Sequence, residues 1–311
     1  MVFFKKLNLY IFIFMAFFFG GVEAKNKVVE KGLVAVPFVL PGAETFLVKA
    51  KSNKINYRIN VQFPLAYEHQ KDKRYPVMYV LDANMHFPFQ INDDAIVVGI
   101  EWDQPSLFEM VQKEKTALSS GFSRMESFLP QPLSEGDCRL IGDRACQLFR
   151  SHAGQAKAFK AFVVNELKPL IEKRYRTTKK SILWGHSMAG YFATWVLVNQ
   201  PDAFDDYVIL SPALFYGDFG LLKQAKEIPF LPLDQKHKVY LGVGAREVEM
   251  CGQLPSCINV IEPILRLYEV LAQYPFLEVK KDIIENEGHM KMIPSATNRA
   301  KDFIFGPEKP F

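Results

Sequence analysis

The sequence has no long block of Lys or Arg, and its 38 basic and 34 acidic side chains leave a formal charge of only +4. That distribution excludes the basic footprint expected of a nucleic-acid binder. The six His are scattered with no pair at metal-motif spacing, which argues against a zinc enzyme. No internal repeat and no Gly/Ser-rich or Pro-rich linker marks a domain boundary, so a single domain is expected. No apolar tail closes the chain, and Cys is scarce at four residues. By contrast, 49% hydrophobic and 14% aromatic content is enough to build a large core, which excludes a disordered or low-complexity chain.

The first residues carry a targeting signal. Lys5 and Lys6 precede the apolar stretch Leu9 to Phe19, and Gly20-Gly21-Val22-Glu23-Ala24 follows. This order of basic, apolar and small residues matches a secretory leader, with cleavage expected after Ala24. The apolar run is short for a bilayer span, so residues 25–311 are expected to be free of stable membrane insertion, periplasmic or secreted. No Cys stands at the new N-terminus, which argues against a lipoprotein. The four Cys fall into two local pairs, Cys138 with Cys146 and Cys251 with Cys257. Four Cys permit three connectivities, and local pairing is the simplest in an oxidising compartment.

Past the leader, short apolar segments alternate with amphipathic ones. Val48 to Lys51 and Tyr57 to Phe63 read as early strands, the second alternating like a half-buried edge strand. Val77 to Leu81, Val97 to Ile100, Ile182 to Trp184, Val208 to Leu210 and Val239 to Val243 are compact apolar runs suited to a parallel sheet covered on both faces, and Glu278 to Ile284 adds a last strand. Ala156, Phe159, Phe162, Val163, Leu167, Leu170 and Ile171 recur at helical spacing, as do Ile261, Leu265, Tyr268 and Leu271. The pattern is α/β with about eight strands. Residues 104–155 break the rhythm with clustered Ser, Gly and Pro, and read as an irregular insertion that helps shape a site.

The sharpest local signal is Ile182-Leu183-Trp184-Gly185-His186-Ser187-Met188-Ala189-Gly190, an apolar strand running into Gly-x-Ser and then a helix-compatible run. A tight strand-to-helix turn needs small neighbours and presents the Ser187 hydroxyl at a helix N-terminus, where backbone N–H groups stabilise negative charge. A serine nucleophile needs a base, and the base an orienting carboxylate. His289, in the polar loop Glu285-Asn286-Glu287-Gly288-His289, is the expected base. His186 is read as a structural or pocket residue, and His86, near a strand end, as a cleft residue. The acid is expected just beyond Val239 to Val243, where Glu247 and Glu249 both stand; Glu247, in the turn directly after the strand, is preferred. The order Ser187, Glu247, His289 is nucleophile, acid, base.

The chain resembles the esterase family of α/β-hydrolases that includes esterase D and the bacterial siderophore esterases. The resemblance rests on Tyr79 to Phe87, Glu166 to Tyr175, Gly185 to Gly190, Pro201 to Asp205 and Ser211 to Phe215, in that order. It implies an α/β-hydrolase fold and an oxyanion hole made by the backbone N–H groups of Asn84 and Met188, with Ala83 and Ala189 standing where that family usually has Gly. The implied reaction is hydrolysis of a small-molecule carboxylic ester through an acyl-enzyme, with a siderophore ester as one candidate and no metal or organic cofactor required. An anionic iron chelate calls for a basic patch, for which Arg124, Arg139, Arg144 and Arg150 are candidates beside a reading in which they are solvated surface groups. Phe215 and Tyr216 are candidates for the acyl pocket. The alternatives are an acyltransferase of the same fold, passing the acyl group to an alcohol, and a non-catalytic binding scaffold.

Overall fold

The computed structural model describes residues 40–90, 93–103, 117–150, 152–229, 236–252 and 259–306; the side chains at 88–89, 117–122, 144–145, 148 and 249–252 are outside the description. Eight strands form one sheet in the order β1-β2-β4-β3-β5-β6-β7-β8. They are β1 (Ala43–Lys49), β2 (Asn56–Gln62), β3 (Tyr75–Leu81), β4 (Ile96–Trp102), β5 (Thr177–His186), β6 (Asp206–Leu210), β7 (His237–Gly244) and β8 (Leu277–Ile284). The β1–β2 and β2–β4 pairs are antiparallel and all the others parallel. This is the α/β-hydrolase architecture expected from the alternation of strands and helices.

The parallel strands are the apolar runs of the sequence, and their burial follows from helices on both faces. Every residue of β6 is buried, as are the last six of β5. One face packs on a cluster containing Tyr79, Leu183 and Ile209, the other on one containing Trp184, Val208 and Leu210.

Two early readings change. The first strand spans Ala43–Lys49, ahead of the expected Val48 to Lys51; its mostly exposed Ala-Glu-Thr-Phe-Leu-Val-Lys sequence gives little apolar signal. It also covers β2, so β2 is not an edge strand. The alternation in β2 is nevertheless that of a one-sided strand, with Tyr57, Ile59 and Val61 fully buried.

The helices that matter for the site are α1 (Ala83–His86), α2 (Ala117–Phe128), α3 (Glu135–Ile141), α4 (Asp143–Phe149), α5 (Ala156–Ala161), α6 (Lys168–Arg174), α7 (Met188–Asn199), α8 (Gly220–Gln224), α9 (Ile261–Leu271) and α10 (Met292–Phe305). The helical spacing read between Ala156 and Ile171 is borne out as α5 and α6, joined by a wider π turn over Phe162–Leu167.

The described part of the insertion, expected to be irregular, is largely helical. Its Ser and Gly act as punctuation: Ser134 accepts from the Asp137 N–H in a reciprocal capping box, and Gly142 closes α3 at φ 88°. Cys138 and Cys146 are disulfide-bonded across that α3–α4 corner. The expected leader and Cys257 lie outside the described residues, as does the Cys251 side chain. Among the described residues no helix is long and apolar enough to cross a membrane.

Candidate active site

Parallel strands deliver their C-terminal ends to one edge of the sheet, and the site is built there. At the end of β5, Ser187 adopts φ 60° and ψ −118°, and its N–H donates to the Leu210 carbonyl at 2.9 Å. The turn is possible only with small neighbours. A Cβ at Gly185 would lie 2.4 Å from the Ala189 carbonyl oxygen, and one at Gly190 would lie 2.9 Å from the Leu210 carbonyl oxygen. Ala189, where the family pattern has Gly, is fully buried without breaking the turn. Met188 opens α7, so its backbone N–H lies at a helix N-terminus beside Ser187.

At the end of the neighbouring β3, Asp82 adopts φ 52° and starts α1, which contains Asn84 and His86. The two N–H groups expected to form an oxyanion hole, those of Asn84 and Met188, therefore belong to helix starts on adjacent strand ends.

The Glu247 carboxylate and the His289 imidazole meet. The His289 Nδ1–H donates to Glu247 Oε2 at 2.7 Å. The other oxygen of Glu247 is held twice, by Ser211 Oγ at 2.5 Å and by the Gly244 N–H at 2.8 Å. Burial pushes the Glu247 carboxyl up, but the His289 hydrogen bond and charge, with the donors from Ser211 and Gly244, outweigh it and hold the group below the usual carboxylate value. The Glu247 side chain is fully buried and that of His289 is 14% exposed. Of the two acids left open by the sequence, Glu247 is on the histidine; the Glu249 side chain lies outside the described residues. His289 Nε2 is buried and finds no hydrogen-bond partner among the described residues.

A cleft lined by Met85, His86, Arg124, His186, Ser187, His289 and Met290 joins these groups. Arg124, from α2 in the insertion, reaches it with its guanidinium clamped by Asp82: Nε lies 3.1 Å from both carboxylate oxygens and Nη2 lies 2.9 Å from Oδ2. Asp82 is fully buried, which pushes its carboxyl up, and Arg124 offsets that only in part. The sequence suggested Arg124 and the Leu81-Asp82-Ala83 segment separately but not their pairing. A buried acid at a strand end that must find a cation was the available signal. Ser211, the hydroxyl behind the acid, was read only as part of a family segment.

His86 and His186 are both buried, and their rings lie 5.2 Å apart. Burial, reinforced by the charges of Arg124 and His289, drives His86 down to about 3. Burial also takes His186 well below the ordinary histidine value. Both rings are therefore neutral at working pH. Phe215 and Tyr216 are not among the cleft-lining residues: Tyr216 is buried against Phe215 and near Tyr191. Arg139 and Arg150 are exposed on the insertion, and the Arg144 side chain is outside the described residues.

Residues 52–250 match the model of the "Putative esterase" family. The chain belongs to this esterase family. It is 26% identical over 290 residues to the ferri-bacillibactin esterase BesA of Bacillus subtilis strain 168, an alignment covering 88% of this chain and 93% of that one. Among solved structures it is similar to the BES protein from Bacillus cereus, with TM-score 0.68, 25% identity, and coverage of 90% of this chain and 99% of that one. The fold is also that of the siderophore hydrolase EstB from Aspergillus nidulans, with TM-score 0.69, 18% identity, and coverage of 89% and 99%. The chain is accordingly a serine esterase acting on a small-molecule ester.

Proposed function

We propose that Ser187, His289 and Glu247 form the triad of this esterase and that its substrate is a siderophore ester. The observation that carries the triad is the 2.7 Å contact of His289 Nδ1 with a buried carboxylate whose other oxygen is already doubly bound. With Nδ1 engaged as a donor, Nε2 is the basic nitrogen and removes the Ser187 proton as Oγ attacks the ester carbonyl. The N–H groups of Met188 and Asn84 receive the oxyanion, and the Arg124 guanidinium adds fixed positive charge in the same cleft. Collapse of the tetrahedral intermediate expels the alcohol, protonated by His289. Water activated by the same nitrogen then releases the acid.

The siderophore assignment draws on the names of the relatives. A periplasmic or secreted location is supported by the leader pattern and by the Cys138–Cys146 disulfide. The test is hydrolysis of a chain-length panel of p-nitrophenyl esters beside ferric and iron-free catecholate siderophore esters, with Ser187→Ala as control. Ser187-dependent cleavage of the siderophore esters is expected. Cleavage of short acyl esters alone would reduce the assignment to a general carboxylesterase.

A further inference from the structure

The residue before the nucleophile has a polar contact that the triad chemistry does not use. His186 closes β5, is 2% exposed, and places Nε2 2.9 Å from the backbone carbonyl oxygen of His289. A carbonyl only accepts, so Nε2 carries the proton and donates. The two rings lie 4.4 Å apart and tilted. Behind His186 stands the buried ring of His86, itself 5.0 Å from Trp184, so the imidazole is backed by packed rings.

The loop that bears His289 needs such an anchor. It leaves β8 through Asn286 at φ 61°, and Gly288 has open space where a side chain would be. Its backbone ties on either side include the Arg246 N–H to the Glu287 carbonyl at 2.9 Å, the Met292 N–H to the Gly288 carbonyl at 3.1 Å and a long one from the Glu287 N–H to the Ile284 carbonyl at 3.4 Å. Glu247 fixes the imidazole at Nδ1, but one hydrogen bond lets a ring pivot about that contact. A second fixed point on the same residue's main chain removes the pivot and aims Nε2.

We propose that His186 is a positioning residue, a neutral hydrogen-bond donor that ties the base loop to the nucleophile turn by holding the His289 carbonyl. Because His186 is the chain neighbour of Ser187, the tether sets the Ser187-to-His289 spacing from the serine side, as Glu247 sets it from the acid side. The inference rests on the reading of His289 as the base.

The experiment is a double-mutant cycle on the full chain with p-nitrophenyl acetate, reading kcat and KM separately and thermal unfolding alongside. His186→Phe keeps a flat ring and deletes the donor; His186→Leu deletes it with less bulk should Phe not be accommodated; His186→Gln restores an N–H donor of similar reach. In the parent, loss of the donor is expected to lower kcat about 10- to 100-fold, the scale of a misaimed catalytic group, with KM within about twofold, and Gln to recover most of the loss. In a His289→Ala background the same changes are expected to cost nothing further, because the residue acts through His289. An equal loss in both backgrounds would mark His186 as merely structural and overturn the proposal, as would full kcat in both His186→Phe and His186→Leu. A fully active His289→Ala would instead overturn the assignment of the base, a distinguishable result.

Discussion

The C-terminal edge of the central parallel strands and the antiparallel flank of the sheet treat polar groups in opposite ways. At the C-terminal ends of the neighbouring strands β3, β5 and β6, Asp82, Ser187 and Ser211 all take positive φ, conformations that cost about 1–3 kcal/mol each for a residue with a side chain. Their side chains are buried, and Asp82 and Ser211 are tied to Arg124 and Glu247. On the antiparallel flank, the one charged side chain of β2, Arg58, is partly exposed. Arg58 pairs with Asp103 at 2.9 Å with the two side chains 42% and 25% exposed, where water already solvates both partners. Similar Arg–carboxylate contacts therefore do different work. The exposed pair is close to neutral for stability, whereas the Asp82–Arg124 pair is a commitment: with one partner removed, a buried charge remains. Strain and desolvation are concentrated around the proposed triad.

The largest expected effect that sharpens this contrast is loss of the proposed nucleophile or base. Ser187→Ala and His289→Ala should each lower kcat by about 10⁴- to 10⁶-fold without a matching loss of stability, read by steady-state kinetics and thermal unfolding. Asp82→Ala should cost about 3–5 kcal/mol in denaturant unfolding by stranding Arg124 in the cleft, while Asp103→Ala, which leaves Arg58 42% exposed, should change stability by no more than about 1 kcal/mol. Equal costs at the two sites would erase the distinction between that edge and the flank.

Acid should also act through the catalytic edge. His86 has a folded pKa of about 3 against about 6.5 unfolded, so between those values the unfolded chain binds the extra proton and stability falls as pH falls. Burial drives His186 the same way. Between about pH 3 and 6.5 His86 adds a slope approaching about 1.4 kcal/mol per pH unit, and His86→Phe should flatten the pH dependence of unfolding in that window. Glu247 enters lower. Its folded pKa lies beneath the unfolded value near 4.3, so its contribution is complete above that value and is lost as pH drops through the folded one. The smallest effect is expected for Ser211→Ala, about tenfold or less in kcat, because the Gly244 N–H still holds the same oxygen of Glu247.

Most of this catalytic edge was readable because its signals are local. The elbow announces itself in nine consecutive residues, since Gly185 and Gly190 are forced by close backbone approach and the apolar run before them makes a buried strand. Glu247 was readable as a candidate acid directly after an apolar strand, and His289 as a candidate base in a polar loop after the last strand, and the two side chains are in contact. Two long-range pairings that no nucleophile-acid-base order calls for could not be read, although Glu247 and His289, as far apart as the first of them, could. Asp82 and Arg124 are 42 positions apart, and His186 and His289 are 103 apart, and nothing in either segment encodes the other. The insertion misled for the opposite reason: Ser134 and Gly142 look like coil formers, yet they cap the ends of helices. The early strand β1 was misplaced because an exposed edge strand needs few apolar residues.

The most direct test of the account is the site of covalent capture by a fluorophosphonate, located by peptide mass in the parent and in His289→Ala. The account predicts a single adduct on Ser187 in the parent and a rate of labelling at least about a hundredfold lower once the base is removed. Labelling at another residue, or undiminished labelling of Ser187 without His289, would contradict it.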